Sequence, residues 1–274
     1  MKPTPVVESA RTVLLIVFAA AVLLPFLSVI LASVHPAGSA VSGLSWPSEF
    51  AFENFVAAWE KGRFSHLMTS SLIVALSVVP LSIALSTLAG FALAVLRPAG
   101  SRWISLAFVL GLTLPTELVI VALYYNLSAV GLANNHLGVI LAETALFLPF
   151  GVYWMQTHFA SIPRELVESA RMDGARDLIV LVRILLPISG PAITTIAVLF
   201  FMWSWNQFLL IIVLIQDPTR RTAPAGLGYF VGEHSTDVPL LAAASLLVTV
   251  PIVIVYLVFQ RSFVAGITQG AIKG

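Results

Sequence analysis

Six runs of about 20 or more predominantly apolar residues dominate this chain, and they leave few folds open to it. A hydrocarbon core about 30 Å thick takes roughly 20 helical residues to cross. The runs extend roughly over 12–34, 68–96, 103–125, 136–157, 188–216 and 239–260. Only 10% of the 274 residues are charged, whereas water-facing domains carry about 25%. The pattern predicts an all-α membrane protein: residues 1–11 form a tail, 12–260 a six-helix transmembrane domain, and 261–274 a second tail. The second and fifth runs exceed what a bilayer needs, which predicts tilt or extension. The first is too long for a signal peptide and lacks a small-residue cleavage pattern, so it reads as a retained helix. With no cysteine, disulfides and thiolate metal sites are excluded.

Basic residues orient the bundle. Lys2, Arg11, Arg97, Arg102, Arg164, Arg171, Arg176, Arg183, Arg261 and Lys273 fall on one side of a six-span chain, and Lys61, Arg63, Arg220 and Arg221 on the other. Ten against four puts both termini and the segment 158–187 in the cytoplasm. On the outer side, Trp46, Phe50, Phe52, Phe55 and Trp59 stand among Glu49, Glu53 and Glu60. Residues 54–59 read as a short amphipathic helix at the membrane surface, either an aromatic anchor or a docking surface for an external partner.

The segment from Pro163 to Pro187 places charge and glycine between two apolar spans. Pro163 suits the start of a helix, and Glu165 and Glu168 lie near its positive end. Val167, Ala170 and Gly174 share one face, while Arg164, Glu168 and Arg171 can pair along another. Asp173-Gly174 ends that helix, and a second follows until Pro187. On periodicity alone two readings stand: a solvated connecting loop, or a small-faced helix that inserts into a cleft on another protein.

Glu168-Ser169-Ala170-Arg171-Met172-Asp173-Gly174-Ala175, followed by Ile184-Leu185-Leu186-Pro187, resembles the EAA motif of ABC importer permeases. Ser169 stands where that family has alanine. Trp205-Asn206-Gln207-Phe208 and the tail from Phe263 to Gly274 resemble elements of carbohydrate permeases, as do Leu114-Pro115, Leu132-Ala133-Asn134-Asn135 and Leu148-Pro149-Phe150. The resemblance covers roughly residues 55–274 and is nearest to the second permease subunit of maltose, glycerol-3-phosphate or trehalose importers. It implies a permease in the bacterial or archaeal cytoplasmic membrane that forms half of a translocation pathway with a second, unlike permease subunit. Two ATP-binding subunits, an extracytoplasmic solute-binding protein and membrane lipid would be the other partners, with no role for nucleic acid. Residues 168–175 would be the coupling helix, seated in a groove of an ATPase subunit. The sequence holds no G-x-x-x-x-G-K-[ST] phosphate loop, so ATP hydrolysis is expected on a separate chain. No cofactor or metal is expected.

Along the spans, Glu117 and Glu143 are the acidic residues. A charge at mid-bilayer costs about 2.5–3.5 kcal/mol on insertion scales, so such groups face a cavity or a partner. Each reads either as a hydroxyl-binding group on the solute path or as a polar clamp between helices, with Pro115 a potential break beside Glu117. Asn206 and Trp205 offer an amide and a stacking face, with packing the plainer role for the indole. His35, His66, His136, His158 and His234 sit at predicted membrane edges without metal-ligand spacing. A membrane-embedded enzyme would need a nucleophile–base pair or metal cluster, which these residues do not supply. An ion-coupled secondary transporter could use the two glutamates, but the halves show no persuasive inverted repeat. A non-sugar ABC importer is the nearest alternative, and Trp205-Asn206 argues against it.

Overall fold

A computed structural model describes residues 5–231 and 236–271; Lys2, His234, Lys273 and Gly274 of the sequence reading lie outside the described residues. The described residues are mostly in helices. In order they are α1 (Pro5–Ser33), α2 (Glu53–Lys61), α3 (Phe64–Phe91), α4 (Ser101–Gly111), α5 (Thr116–Ala129), α6 (His136–Ala160), α7 (Arg164–Met172), α8 (Asp177–Ile179), α9 (Leu186–Ile188), α10 (Gly190–Trp205), α11 (Leu209–Leu214), α12 (Ala223–Gly226) and α13 (Val238–Ala271). A π-turn over Ala92–Leu96 extends α3, and another over Val180–Leu185 joins α8 to α9. Apolar helix is the expected outcome in a bilayer, because only internal pairing satisfies the backbone there.

Among the described residues four stretches are long and apolar enough to cross a membrane unbroken: Arg11–Ser33, Phe64–Leu96, His136–Ala160 and Val238–Arg261. The third and fifth apolar runs differ from the expected continuous helices. Ser101–Gly111 and Thr116–Ala129 meet at 103°, and Asp177–Ile188 and Gly190–Trp205 at 78°. Six spans result when each bent pair counts as one. The first break follows from Pro115, whose extended backbone (ψ 120°) cannot continue the preceding helix. Its halves have 11 and 14 residues, about 17 and 21 Å of helix, so neither crosses the hydrocarbon alone. The second break lies at Ser189-Gly190-Pro191.

Two compact units make up the chain, Met1–Ser65 with Gly226–Val250, and His66–Ala225 with Pro251–Gly274. In the first, the amphipathic helix predicted over 54–59 appears as α2, with an inner role that its pattern does not announce. Asn54 is buried, and its amide donates to the carbonyls of Ser33 (2.9 Å) and His35 (2.7 Å). Those carbonyls lie at the end of α1, where helix geometry leaves acceptors without partners. Ala51 N–H donates to Val34 O at 2.8 Å and completes the closure.

The second unit holds the main core, built from α3, α5, α6, α7, α10 and α11. Near its end α3 comes close to α6 at two glycines: a Cβ added at Gly90 would come within 2.7 Å of Met155 Cβ, and one at Gly151 within 2.8 Å of Ser86 Cβ, so these close approaches need glycine. Phe147, Phe150, Phe200 and Trp203 interlock across α6 and α10 with ring centroids 5.1–6.4 Å apart.

Candidate functional site

The segment singled out by its motif lies in the second unit, between α6 and α10. Pro163, extended at ψ 130°, leads directly into α7. The helix closes with a complete Schellman turn: Gly174 N–H donates to Arg171 O (3.0 Å) and Ala175 N–H to Ala170 O (2.9 Å), with Gly174 at φ +81°. A side chain at 174 would meet nothing within 4 Å. The glycine is therefore required by backbone conformation rather than by space, and it is exposed rather than part of a buried stripe.

The two faces of α7 also divide differently from the sequence expectation. Val167 and Ala170 are buried in the chain's own core, so the small apolar stripe is not the surface offered to a partner. The outward face carries Leu166, Ser169 and Met172, the last 89% exposed, and α8 adds Leu178 at 65%. Arg171 pairs with Asp177 across the turn at 2.8 Å, not with Glu168. Asp177 opens α8, where an acid is favoured by the helix dipole.

The base of this loop is tied together. Trp154 Nε1–H donates to Ala192 O at 3.1 Å. His158 Nε2 lies 3.0 Å from Ser189 Oγ, and that hydroxyl donates to Leu185 O at 2.6 Å. Since the serine proton goes to Leu185, Nε2–H of the imidazole is the donor to Ser189. The bend in the fifth span is thereby joined to the end of α6. On the inner side of α7 a cavity of about 230 Å³ opens, walled by Val95, Phe159, Ile162 and Val167 and bordered by Arg97, Arg164, Glu168 and Arg171.

The other end of α6 carries a polar latch. Asn134, at φ +54°, donates from its backbone to Leu214 O (2.8 Å), accepts Asp217 N–H on Oδ1 (3.1 Å) and accepts Arg220 Nη1–H on its carbonyl (3.3 Å). His136 Nε2 meets Arg220 O at 2.8 Å. Asp217 accepts from the hydroxyl and backbone N–H of Thr219, which hold its carboxyl below its ordinary value of 3.8.

The pathway candidates are not gathered into one cleft. Glu143 is fully enclosed, with Ser204 beside it and neither carboxyl oxygen in a hydrogen bond of sound geometry. Trp205 is enclosed too, stacked on Phe201 at 5.5 Å. Glu117 is exposed in the first turn of α5, directly after the Pro115 break, and accepts from Thr116 Oγ1 at 3.2 Å. Asn206 is exposed where α10 ends, and its amide donates to Met202 O at 2.9 Å. Sequence reasoning gave Arg97, Ser189 and Leu166 no role in a site, while Met172 lay within the motif segment it singled out. A cation just before Pro98 was the available signal for the first.

Residues 82–269 match the family described as binding-protein-dependent transport system inner membrane component. The chain is similar to the diacetylchitobiose uptake system permease protein NgcG of Streptomyces coelicolor, 32% identical over 95% of this chain and 87% of that one. It is likewise similar to the trehalose transport system permease protein SugB of Mycobacterium tuberculosis, 31% identical over 92% of this chain and 93% of the other. In fold it resembles a chain from the crystal structure of a bacterial ABC transporter involved in the import of alginate. That match has a TM-score of 0.82 and 22% identity, and covers 94% of this chain and 96% of that one.

Proposed function

The chain belongs to the family of binding-protein-dependent transport system inner membrane components and is an ABC importer permease, and from that premise we propose that its cargo is a carbohydrate. Relatives named for diacetylchitobiose and trehalose transport support a sugar or oligosaccharide as solute. The family works with a solute-binding protein and an ATPase. In this reading the chain lines half of the pathway beside a second, unlike permease, above two ATP-binding subunits. Hydrolysis occurs on those subunits. Both termini and α7 face the cytoplasm, in line with ten basic residues against four.

The observation that carries the coupling role is the outward face of α7. Met172 and Leu166 project from a helix whose opposite face is locked into the core, so a groove on an ATPase subunit that takes these side chains moves α7 as one body. The His158–Ser189 link then passes that movement to the bend in the fifth span. Glu168 to Ala175 form the contact region, with Gly174 as the turn. Glu117, Glu143, Trp205 and Asn206 remain the candidates for the solute path.

The test is mass spectrometry of what co-purifies with the full chain in mild detergent, paired with ATP-dependent uptake of labelled trehalose and diacetylchitobiose. Wild type should bring down a second permease and an ATPase, and Met172→Glu should lose the ATPase while keeping the permease. Recovery of the chain alone, or uptake that survives ATP depletion but stops with an ionophore, would remove the reading in favour of ion-coupled transport.

A further inference from the structure

We propose that the cavity on the inner side of α7 binds the headgroup of an anionic phospholipid. Three segments of the second unit converge there: the π-turn after α3, the end of α6, and α7. Each of the first two is the last part of a membrane-crossing helix, so the cavity lies at the level where lipid headgroups meet the cytoplasm. Exposed Trp103, at the start of α4, marks the same level as an interfacial aromatic.

The charge around the cavity is unbalanced. Arg171 is satisfied by Asp177. Among the described residues Arg97 donates its Nε–H to Ala94 O at 2.9 Å and its terminal nitrogens enter no hydrogen bond, which leaves them to a ligand. Its backbone is left-handed (φ +52°), an uncommon state for a residue with a side chain. Arg164 makes no ion pair among the described residues. Glu168 also borders the cavity, so three arginines stand against one glutamate there; with Arg171 held by Asp177, Arg97 and Arg164 leave a net positive charge that suits a phosphate ester, which guanidinium forks bind in bidentate fashion.

The walls decide what carries the phosphate. Val95, Phe159, Ile162 and Val167 are apolar, and a free anion gains nothing from them, whereas glycerol and the first acyl carbons do. An acidic side chain of an ATPase subunit is the other available anion. The cavity, however, lies against buried Val167, on the side of α7 away from exposed Met172. Basic pockets between helix ends on the cytoplasmic leaflet are suited to anionic headgroups, with each cation contributing about a fivefold gain. A bound lipid would pin α7 to the membrane surface; that consequence for coupling rests on the proposed function, while lipid binding itself does not.

The experiment is native mass spectrometry of the delipidated full chain, in its complex where partners co-purify, after addition of phosphatidylglycerol, phosphatidylcholine or inorganic phosphate. Phosphatidylglycerol should be retained, phosphatidylcholine should not, and Arg97→Gln with Arg164→Gln should weaken retention roughly 30-fold, about fivefold per charge. Arg97→Lys with Arg164→Lys keeps the charge and should keep most of the adduct, which shows that loss in the glutamine variant is not misfolding. Equal retention by the glutamine variant would overturn the proposal. So would phosphate binding that displaces the lipid at comparable concentration, which makes the site one for a free anion. Loss of the ATPase from the glutamine variant in every lipid would assign the arginines to a protein partner instead. In nanodiscs, coupled ATP hydrolysis should fall without phosphatidylglycerol; unchanged hydrolysis with retained adduct overturns the coupling consequence alone.

Discussion

His158 and Ser189 stand 31 residues apart, and a 3.0 Å hydrogen bond between their side chains closes the base of the loop that carries α7. Ser189 is fully buried and passes the interaction on to Leu185 O, so the bend of the fifth span and the end of α6 share one polar junction.

Replacing Ser189 with alanine removes the junction and leaves the imidazole donor facing an apolar surface. A hydrogen bond of this kind contributes about 1 kcal/mol. Amide exchange over residues 158–189 should quicken, and uptake should fall several-fold at unchanged membrane level. Exchange that matches wild type would mean the bond is not formed in the membrane.

At Gly174 the requirement is a left-handed backbone with open space around it. Gly174→Asn should keep most uptake, because asparagine tolerates that conformation, whereas Gly174→Val should lose about 1–2 kcal/mol at the turn and most of the uptake. Equal uptake by the two variants would show that the Schellman turn is not needed.

Asn54→Leu strips partners from the carbonyls of Ser33 and His35 at the end of α1. Leaving a buried acceptor unpaired costs about 1–3 kcal/mol, so the melting temperature in detergent should drop by several degrees. Asn54→Gln, one carbon longer, should not restore it.

Asp217 carries the one pH effect with a clear sign. Its carboxyl titrates below its ordinary value of 3.8, mainly because of the Thr219 hydroxyl and backbone N–H, with Arg220 and Arg221 adding to the effect. A depressed carboxyl contributes stability above the ordinary value and loses it as pH falls through the lowered one. Proteolysis at 215–221 should therefore rise only in that acid window, and Asp217→Asn should flatten the dependence. A wild-type profile without an acid branch would contradict it.

Glu143→Leu is informative because the carboxyl group is enclosed without a hydrogen bond. An apolar replacement removes a buried polar group that lacks a partner, so the melting temperature should hold or rise. Uptake should fall if the group serves the solute path; full uptake would make Glu143 a packing residue.

Helical membrane character was legible from apolar run length, because a bilayer demands satisfied backbone over a fixed thickness. The ends of helices read well where a single residue enforces them, as Pro115 and Gly174 do. Pairing was less legible: the charges of Arg164, Glu168 and Arg171 look mutually compatible along one helix, but Asp177 offers a better placed carboxylate across the turn. The face of α7 that turns outward was also misjudged, since Val167 and Ala170 look like a docking stripe until the core they fill is seen.

Local sequence thus determined the class of the chain, a helical membrane protein with an amphipathic helix between its fourth and fifth apolar runs, because periodicity and hydropathy act over a few turns. Only the tertiary structure decided which side of that helix is free, that Asn54 closes α1, that His158 meets Ser189, and that Arg97 and Arg164 border one cavity. Those pairings join residues 19 to 67 positions apart, and no local preference specifies which distant partner a side chain meets; packing of whole helices does.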